Sequence, residues 1–347
     1  MFHTDKPVKI LVIGNSHGLD ATTLLYRVFK AENPEQKVII GALYISGCSL
    51  NGHANNILEN KASYIYFKNG DFDGRNADQP WEQTYNEKTK EGFLTTVKYA
   101  LEDEQWDIVS IQQMNRQSGV QDELIANDSE NERAFWTAFP EKSLQTIIDF
   151  VLEKVKPAPR FVWHMLWPNP DDPIYLGGES SNPELSLNEG WGKDHARLYP
   201  DADGNFNSRV MYDGIVANVK KYLLPPTDFS CAKYFDAILP AGATVQYAMD
   251  VQGMTQAQLY RDYTHLSDYS RLMTAYVWYA KIMELLSGEL VLPDKIRVNH
   301  IPRELHDARL SVYPPANEQG DFDYDEEMRS KILQAVRWAL THPYDLP

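Results

Sequence analysis

The chain has 347 residues, 43% of them hydrophobic, and carries a formal net charge of −16. This length allows one large domain or two modest ones with an apolar core, and the sequence has no cluster of Lys and Arg of the kind that binds nucleic acid. No apolar run approaches the ~20 residues of a membrane span, so we expect no such span and interpret the acidity as a solvated surface.

The N-terminus and the two cysteines are the features from which the cellular compartment can be predicted. The apolar run over 10–13 is too short for the core of a signal peptide, and no small-residue cleavage site follows it. We therefore expect a cytoplasmic protein if the chain is complete, and a periplasmic or secreted one if a leader has been removed. Cys48 and Cys231 lie in no CxxC motif, which favours two buried free thiols over a bridge or a zinc site.

Apolar runs of strand length alternate with segments of helical periodicity along most of the chain. Residues 9–13 (KILVI) form an uninterrupted apolar run closed by Gly14, which is typical of a strand buried on both faces. Further strands are predicted over 38–43, 106–111 and 160–165, a hairpin arm over 62–68, and helices over 21–31, 91–101, 135–155, 210–223, 271–286 and 324–340. This alternation predicts a parallel sheet with helices on both faces.

Residues 167–207 interrupt this alternation, because Pro, Gly, Asp and Asn dominate there. A loop of this length is uncommon inside a compact domain and often serves as a lid or a pocket wall. It follows a predicted strand that ends at the same edge of the sheet as the strand at 9–13. We therefore predict that the loop walls the functional site, with Tyr175 and Trp191 as its aromatic contacts.

The first chemical signal is the motif Gly14-Asn15-Ser16-His17-Gly18, directly after the first strand. A serine on a tight strand-to-helix turn exposes its hydroxyl at the carboxyl edge of the sheet, where open α/β sheets bind ligands. The pattern G-x-S-x-G is that of a nucleophile elbow. The alternative is a turn that only caps the following helix, which needs no catalytic role.

The second signal is the pair Asp262 and His265, just before the last helix of the predicted core. A serine hydroxyl becomes an effective nucleophile when a base accepts its proton and an acceptor holds that base in one tautomer. We predict Ser16 as the nucleophile and His265 as the base, oriented by Asp262, with the His265 ring within hydrogen-bond reach of both. The alternative is that Asp262 or Ser267 merely caps the helix that follows.

These motifs resemble those of the SGNH, or GDSL-type, serine hydrolases. Four blocks carry the resemblance to a bacterial branch of that group: GNSH at 14–17, LYISGCSL at 43–50, WD…QQ at 106–113 and WH…W at 163–167. The resemblance implies a flavodoxin-like three-layer α/β/α sandwich with a parallel sheet of about five strands. The resemblance covers roughly residues 8–287 and leaves the rest of the chain unaccounted for. We predict one hydrolase domain over 1–287 and a C-terminal helical extension over 288–347 that packs on the core. The α/β-hydrolase fold is disfavoured because only one strand precedes Ser16.

The same resemblance implies an oxyanion hole. The second block places the backbone N–H of Gly47 there, and the third block of the family normally supplies an Asn side chain. This sequence has Ile-Gln-Gln-Met-Asn over 111–115 at that point, so it departs from the family pattern. A glutamine amide can donate the same hydrogen bond, and we rank Gln113 first, Gln112 second and Asn115 third.

A metal centre is the alternative interpretation of the histidines. Its ligands would be His265 with His17, Asp20, His53 and His164. No H-E-x-x-H or H-x-x-x-H spacing supports such a centre, so we predict no metal and no other cofactor. Roles in supporting the catalytic residues or contacting the substrate are instead predicted for His17, His164, Trp167 and Asn115.

The resemblance thus implies an esterase that acts through an acyl-enzyme on a short acyl ester, such as an O-acetyl group on a carbohydrate. The expected partner is a small-molecule or glycan ester rather than a nucleic acid, and no particular oligomeric state is predicted. Two other functions stay open at this stage. One is a metal-dependent hydrolase, and the other is a non-catalytic glycan-binding protein that keeps the fold, which the altered third block would suit.

Overall fold

The chain is built around one mixed sheet in the computed structural model, which describes residues 5–71, 82–83, 94–171, 191–301, 322–323 and 325–345. The strands of this sheet are β1 (Val8–Gly14), β2 (Val38–Tyr44), β3 (Ile65–Gly70), β4 (Glu82–Gln83), β5 (Ile108–Ile111), β6 (Arg160–His164) and β7 (Phe235–Leu239). Their order across the sheet is β4-β3-β2-β1-β5-β6-β7. The strands from β2 to β7 in this order are parallel, whereas β3 and β4 are antiparallel to their neighbours.

The parallel part of the sheet has the flavodoxin-like order, in which the first strand lies between the second and the third. The predicted α/β sandwich is therefore confirmed, and the arm predicted over 62–68 corresponds to the antiparallel β3. The sequence does not predict β7. Its first three residues are partly or fully exposed, so it lacks the continuous apolar run by which the central strands are identified.

Helices cover both faces of the sheet. They are α1 (Ser16–Thr22), α2 (Leu25–Glu32), α3 (Leu50–Leu58), α4 (Val97–Asp103), α5 (Asn115–Ser118), α6 (Glu130–Trp136), α7 (Glu141–Lys154), α8 (Trp191–Leu198), α9 (Ser208–Leu223), α10 (Ala241–Asp250), α11 (Gln256–Leu259), α12 (Asp268–Ser287) and α13 (Glu326–Thr341). One layer contains α3, α4 and α7, and the opposite layer contains α1, α2, α10, α12 and α13. Ile10, Leu11 and Ile13 of β1 are consequently wholly buried, as expected for a strand covered on both faces.

Three predicted segments differ from the structure. The helix predicted over 135–155 is two helices, because Pro140 separates α6 from α7 and cannot donate a backbone hydrogen bond. The helix predicted over 21–31 begins earlier, at Ser16, and is interrupted between α1 and α2. The prediction of an unbroken loop over 167–207 is wrong, because α8 forms within it despite a composition rich in helix-breaking residues.

The C-terminal segment packs on the core through α13, which contacts α10 and α12. Ile332, Ala335 and Ala339 of this helix are fully buried. The Trp338 ring stacks on Tyr247 of α10 with ring centroids 5.0 Å apart. Before it, β8 (His300–Ile301) and β9 (Phe322–Asp323) pair in antiparallel fashion.

Cys48 and Cys231 are both free and buried, as predicted. Among the described residues, no helix is both long enough and apolar enough to cross a membrane.

Candidate active site

A small pocket lies beyond the carboxyl ends of the parallel strands, at the point where the strand order reverses, which is where α/β sheets of this kind bind ligands. Its volume is about 60 Å³, and it is lined by Ser16, His17, Ser46, Gly47, Met114, Asn115, Arg116, Asn169, Tyr263, Thr264 and His265. Two larger cavities of about 470 and 450 Å³ are lined partly by residues of the C-terminal segment, and their described lining residues include no histidine. The chemistry of the lining, rather than cavity size, therefore identifies the candidate site.

Ser16 is the first residue of α1, immediately after the turn that ends β1. Asn15 caps this helix, and its side-chain oxygen accepts a hydrogen bond from the His17 N–H at 3.0 Å. The turn packs tightly, because a Cβ on Gly18 would lie 2.8 Å from a methyl group of Val12. This packing leaves Ser16 partly exposed between buried neighbours, as the elbow pattern predicts.

Asp262 and His265 form the expected pair on one turn of chain. His265 Nδ1 lies 2.9 and 2.8 Å from the two carboxylate oxygens of Asp262. The backbone N–H groups of Thr264 and His265 also donate to Asp262 Oδ1, at 3.0 and 2.8 Å. Burial acts to raise the pKa of Asp262, but the hydrogen bonds and charge of His265 outweigh it and lower that pKa to about 2. Asp262 is therefore ionised and holds His265 in the tautomer with a proton on Nδ1.

The other ring nitrogen, His265 Nε2, is buried and has no hydrogen-bond partner among the described residues. It does not form the expected hydrogen bond with the Ser16 hydroxyl, although both residues line the same pocket. Such contacts are often long in ligand-free enzymes and tighten when substrate binds. The free Nε2 atom is thus available to accept a proton inside the pocket.

Asp20 connects the serine helix to the loop that carries His265. Its carboxylate accepts hydrogen bonds from Arg261 Nη1 at 2.7 Å, from Arg271 Nε and Nη2 at 3.0 and 2.7 Å, and from the Leu266 N–H at 2.9 Å. Asp20 is 1% exposed. Burial acts to raise its pKa, but the charges of Arg261 and Arg271 hold that pKa well below its usual range.

His17 lies behind His265, with ring centroids 5.6 Å apart. Its Nδ1 is 3.0 Å from Asn15 Oδ1 and its Nε2 is 2.8 Å from Thr264 Oγ1. Because the Asn15 amide nitrogen donates to the Cys48 carbonyl, Asn15 Oδ1 is the acceptor and His17 Nδ1 carries the proton. Burial lowers the pKa of His17 to about 3, so the ring is neutral at pH 7.

Gly47 and Asn115 face the pocket from two further loops. Gly47 adopts a φ of 59°, a conformation that favours glycine, and it follows β2 as Ser16 follows β1. Asn115 opens α5, beyond the end of β5, and its side-chain amide donates to the Trp167 carbonyl at 2.5 Å. That bond uses one of the two amide protons, which leaves a second for a ligand.

The structure does not place at the pocket either Gln113 or Gln112, the two residues ranked first as side-chain oxyanion donors. Gln112 donates to Asn15 Oδ1 at 2.9 Å and Gln113 donates to the Thr137 and Ala138 carbonyls at 3.1 Å, so neither amide lines the pocket. Both side chains are needed to satisfy buried polar groups at the end of β5. Asn115, ranked third, takes the position at the pocket instead.

His164 and Trp167 contact other residues around the site but do not line the pocket itself. His164 Nδ1 lies 3.0 Å from Gln112 Oε1, and burial lowers the pKa of His164 well below its usual range. Trp167 is fully buried and donates its indole N–H to the Thr264 carbonyl at 2.9 Å. These contacts link β6 to the loop that carries His265.

The segment predicted to wall the site reaches the pocket through Asn169, which lies 2.8 Å from Thr264 Oγ1. Tyr175 lies outside the described residues, and of Trp191 only the backbone position in α8 is described. Arg116 and Tyr263 also line the pocket, although no motif in the sequence singles them out.

The side chains considered as metal ligands have other partners. Asp20 is bound by two arginines, and His53 Nδ1 lies 2.8 Å from the Tyr64 hydroxyl. In the described part of the chain, no group of three or more His, Cys, Asp or Glu side chains could hold a metal ion.

Comparison with known proteins supports the fold and gives no evidence about the reaction. A family model described as a domain of unknown function (DUF4886) matches residues 9–131, which include Ser16, Gly47 and Asn115 but not Asp262 or His265. The crystal structure of a DUF4886 family protein from Bacteroides uniformis is similar over 99% of this chain and 98% of that one, with 22% identity and a TM-score of 0.58. At this identity the likeness concerns the fold alone.

Two more distant structures are similar over most of this chain. A gut microbial diltiazem-metabolizing enzyme has a TM-score of 0.41 and 12% identity, over 80% of this chain and 47% of that one. An alpha/beta hydrolase enzyme from the metagenome of Lake Arreo, Spain, has a TM-score of 0.38 and 13% identity, over 82% and 98%. These scores are too low to support an argument. No curated protein sequence matches the chain.

We expect Asp20→Asn to lower the free energy of unfolding by about 3 kcal/mol, because it leaves the buried Arg261 and Arg271 without the charge they share. Urea denaturation checks this. The matched control is Asp128→Asn, which breaks the more exposed pair of Asp128 with Arg197 and should cost less than about 1 kcal/mol. Equal losses in the two variants would contradict a structural role for the Asp20 cluster.

Proposed function

We propose that this protein is a serine esterase of the SGNH type, which hydrolyses short acyl esters through an acyl-enzyme. The observation that carries the proposal is the shared pocket of Ser16 and His265, with the imidazole bound to Asp262 through Nδ1. A serine, a histidine with a free Nε2 and an ionised carboxylate are the parts that nucleophilic ester cleavage requires.

In the first half of the reaction, the Ser16 hydroxyl attacks the ester carbonyl while His265 Nε2 accepts its proton. The tetrahedral intermediate then collapses, and His265 returns that proton to the departing alkoxide. In the second half, a water molecule gives a proton to His265 as its oxygen attacks the acyl carbonyl. The bond between Ser16 Oγ and the acyl carbon then breaks, and His265 returns the proton to Ser16 Oγ as the acid leaves. Asp262 stabilises the imidazolium that forms in both halves without taking its proton.

The negative charge that develops on the carbonyl oxygen needs fixed hydrogen-bond donors. We assign this role to the backbone N–H groups of Ser16 and Gly47 and to the second amide proton of Asn115. All three residues line the pocket. These donors match the SGNH pattern, in which a glycine and an asparagine bind the oxyanion. A choice of Gln112 or Gln113 would not match that pattern.

The pocket volume of about 60 Å³ has room for only a few heavy atoms, which favours an acetyl group over a long acyl chain. Aromatic rings lie beside it. Tyr263 is part of the lining, and Phe135, whose ring lies beside Arg116, is 41% exposed. Such rings can stack on the apolar face of a sugar, which supports a carbohydrate as the alcohol component.

The first test compares variants on p-nitrophenyl acetate. Ser16→Ala and His265→Ala should each lower kcat/KM by at least ~1,000-fold, because the members of such a triad act as a unit. Ser46→Ala, a serine in the same lining, should lose less than about tenfold and serves as the matched control. An inactive wild type would favour the glycan-binding alternative, and full activity in Ser16→Ala would refute the mechanism.

The second test concerns the oxyanion donors. Asn115→Ala should lower kcat by about 10²–10³-fold with a much smaller effect on KM, since the donor acts mainly in the transition state. Gln113→Ala should instead reduce the free energy of unfolding and change kcat only a few-fold, because its amide binds backbone groups. The reverse pattern would restore Gln113 as the donor.

A further inference from the structure

One side chain of the active-site pocket differs in character from the others. Met114 is the only apolar side chain among the described lining residues, because Gly47 has no side chain and each of the others carries a nitrogen or oxygen atom. Met114 is only 5% exposed, yet it does not belong to the continuous apolar core formed by the described residues. Packing within that core therefore does not account for a methionine at this position.

The backbone on both sides of Met114 is held by buried amide side chains. Gln113 Oε1 accepts hydrogen bonds from the N–H groups of Met114 and Leu50, at 2.8 and 3.1 Å. On the other side, the Asn115 amide donates to the Trp167 carbonyl at 2.5 Å. The Met114 side chain is thus anchored at its base, while its rotatable bonds let the thioether adapt to the shape of a neighbouring group.

The Met114 thioether lies beside the proposed oxyanion hole. A Cβ placed on Gly47 would lie 3.7 Å from Met114 Sδ, so the sulfur packs near the backbone of that glycine. Met114 also directly precedes Asn115, the proposed side-chain donor. A carbonyl oxygen bound by Gly47 and Asn115 would therefore place the rest of the acyl group close to an apolar side chain.

The direction of proton transfer decides which part of an ester faces Met114. In the proposed mechanism His265 Nε2 protonates the leaving alkoxide, so the alcohol must lie towards the loop that carries His265. The carbonyl oxygen lies towards its donors, and Ser16 attacks from a third direction. The remaining substituent of the carbonyl carbon is the acyl chain, which must then extend away from His265. Met114 lines the pocket from the loop after β5, which is separate from the His265 loop.

We propose that Met114 forms the wall of the acyl subsite and limits the acyl group to a short chain, such as acetyl or propionyl. This inference rests on the proposed esterase function and assigns the part of the site that selects the acyl group. The pocket volume of about 60 Å³ leaves little space beyond the carbonyl. A shorter side chain at position 114 would add space where the acyl chain ends, and a longer chain could fill it.

Selectivity for acyl-chain length tests the assignment. The ratio of kcat/KM on 4-nitrophenyl butyrate to kcat/KM on 4-nitrophenyl acetate is measured in wild type, Met114→Ala and Met114→Leu. This ratio should rise at least ~10-fold in Met114→Ala, because one methylene in an apolar pocket is worth about 10–200-fold. Met114→Leu nearly conserves the side-chain volume and should leave the ratio within about threefold of wild type. An unchanged ratio in Met114→Ala would overturn the inference.

Met283→Ala provides the matched control. It removes the same atoms from a buried methionine of α12, which lines the cavity of about 450 Å³ rather than the active-site pocket. The selectivity ratio should stay within about twofold of wild type in this variant. An equal rise in Met283→Ala and Met114→Ala would contradict a role specific to Met114.

Binding to Ser16→Ala separates this inference from the proposed function. The probes are 4-nitroacetanilide and 4-nitrobutyranilide, the stable amide analogues of the two esters, and calorimetry gives their Kd values. Addition of Met114→Ala should shift the ratio of the two Kd values at least ~5-fold in favour of the butyryl amide. That shift with an inactive wild type would support the acyl wall while refuting the esterase mechanism. Turnover that depends on Ser16, with an unchanged selectivity ratio in Met114→Ala, would refute the acyl wall alone.

Discussion

The site depends on the carboxylate of Asp20. Ser16 and His265 belong to opposite ends of the chain, and their alignment requires that α1 be fixed against the loop before α12. Asp20, one turn beyond Ser16, binds both arginines of that region and the backbone of Leu266, the residue after His265. Because the carboxylate is buried and doubly paired, a small movement of either element would leave a charge without its partner, which is costly in a low-dielectric interior. The cluster therefore fixes the relative position of Ser16 and His265, the proposed nucleophile and base, without using either side chain.

The surroundings of His17 control the charge next to His265. His17 stacks on His265, and burial keeps it neutral by lowering its pKa to about 3. A cation at that position would oppose the imidazolium that the proposed mechanism forms on His265. The ionised Asp262 on the other side favours that imidazolium. His265 thus has a neutral ring on one side and an ionised carboxylate on the other, an arrangement that suits its proposed role as the base for Ser16.

The features that could be predicted from the sequence are those fixed by local geometry. The serine lies directly after the first strand, and the Asp lies three residues before the His, so both features depend only on nearby residues. The position of Ser16 and the Asp262–His265 contact could therefore be predicted from spacing alone. The central strands could be predicted because each is a continuous apolar run in the sequence. The proposed oxyanion donor could not be chosen from spacing, because Gln112, Gln113 and Asn115 are all polar and nearly adjacent. Only the buried partners of Gln112 and Gln113 show that these two are occupied.

The central claim is that Ser16 is a nucleophile activated within this pocket. It is tested most directly by reaction of the full chain with a fluorophosphonate, followed by peptide mapping with mass spectrometry. The account predicts one adduct per chain, on the peptide that contains Ser16, with labelling lost in Ser16→Ala and strongly slowed in His265→Ala. Modification of a different serine, or an esterase that stays unmodified and fully active, would contradict it.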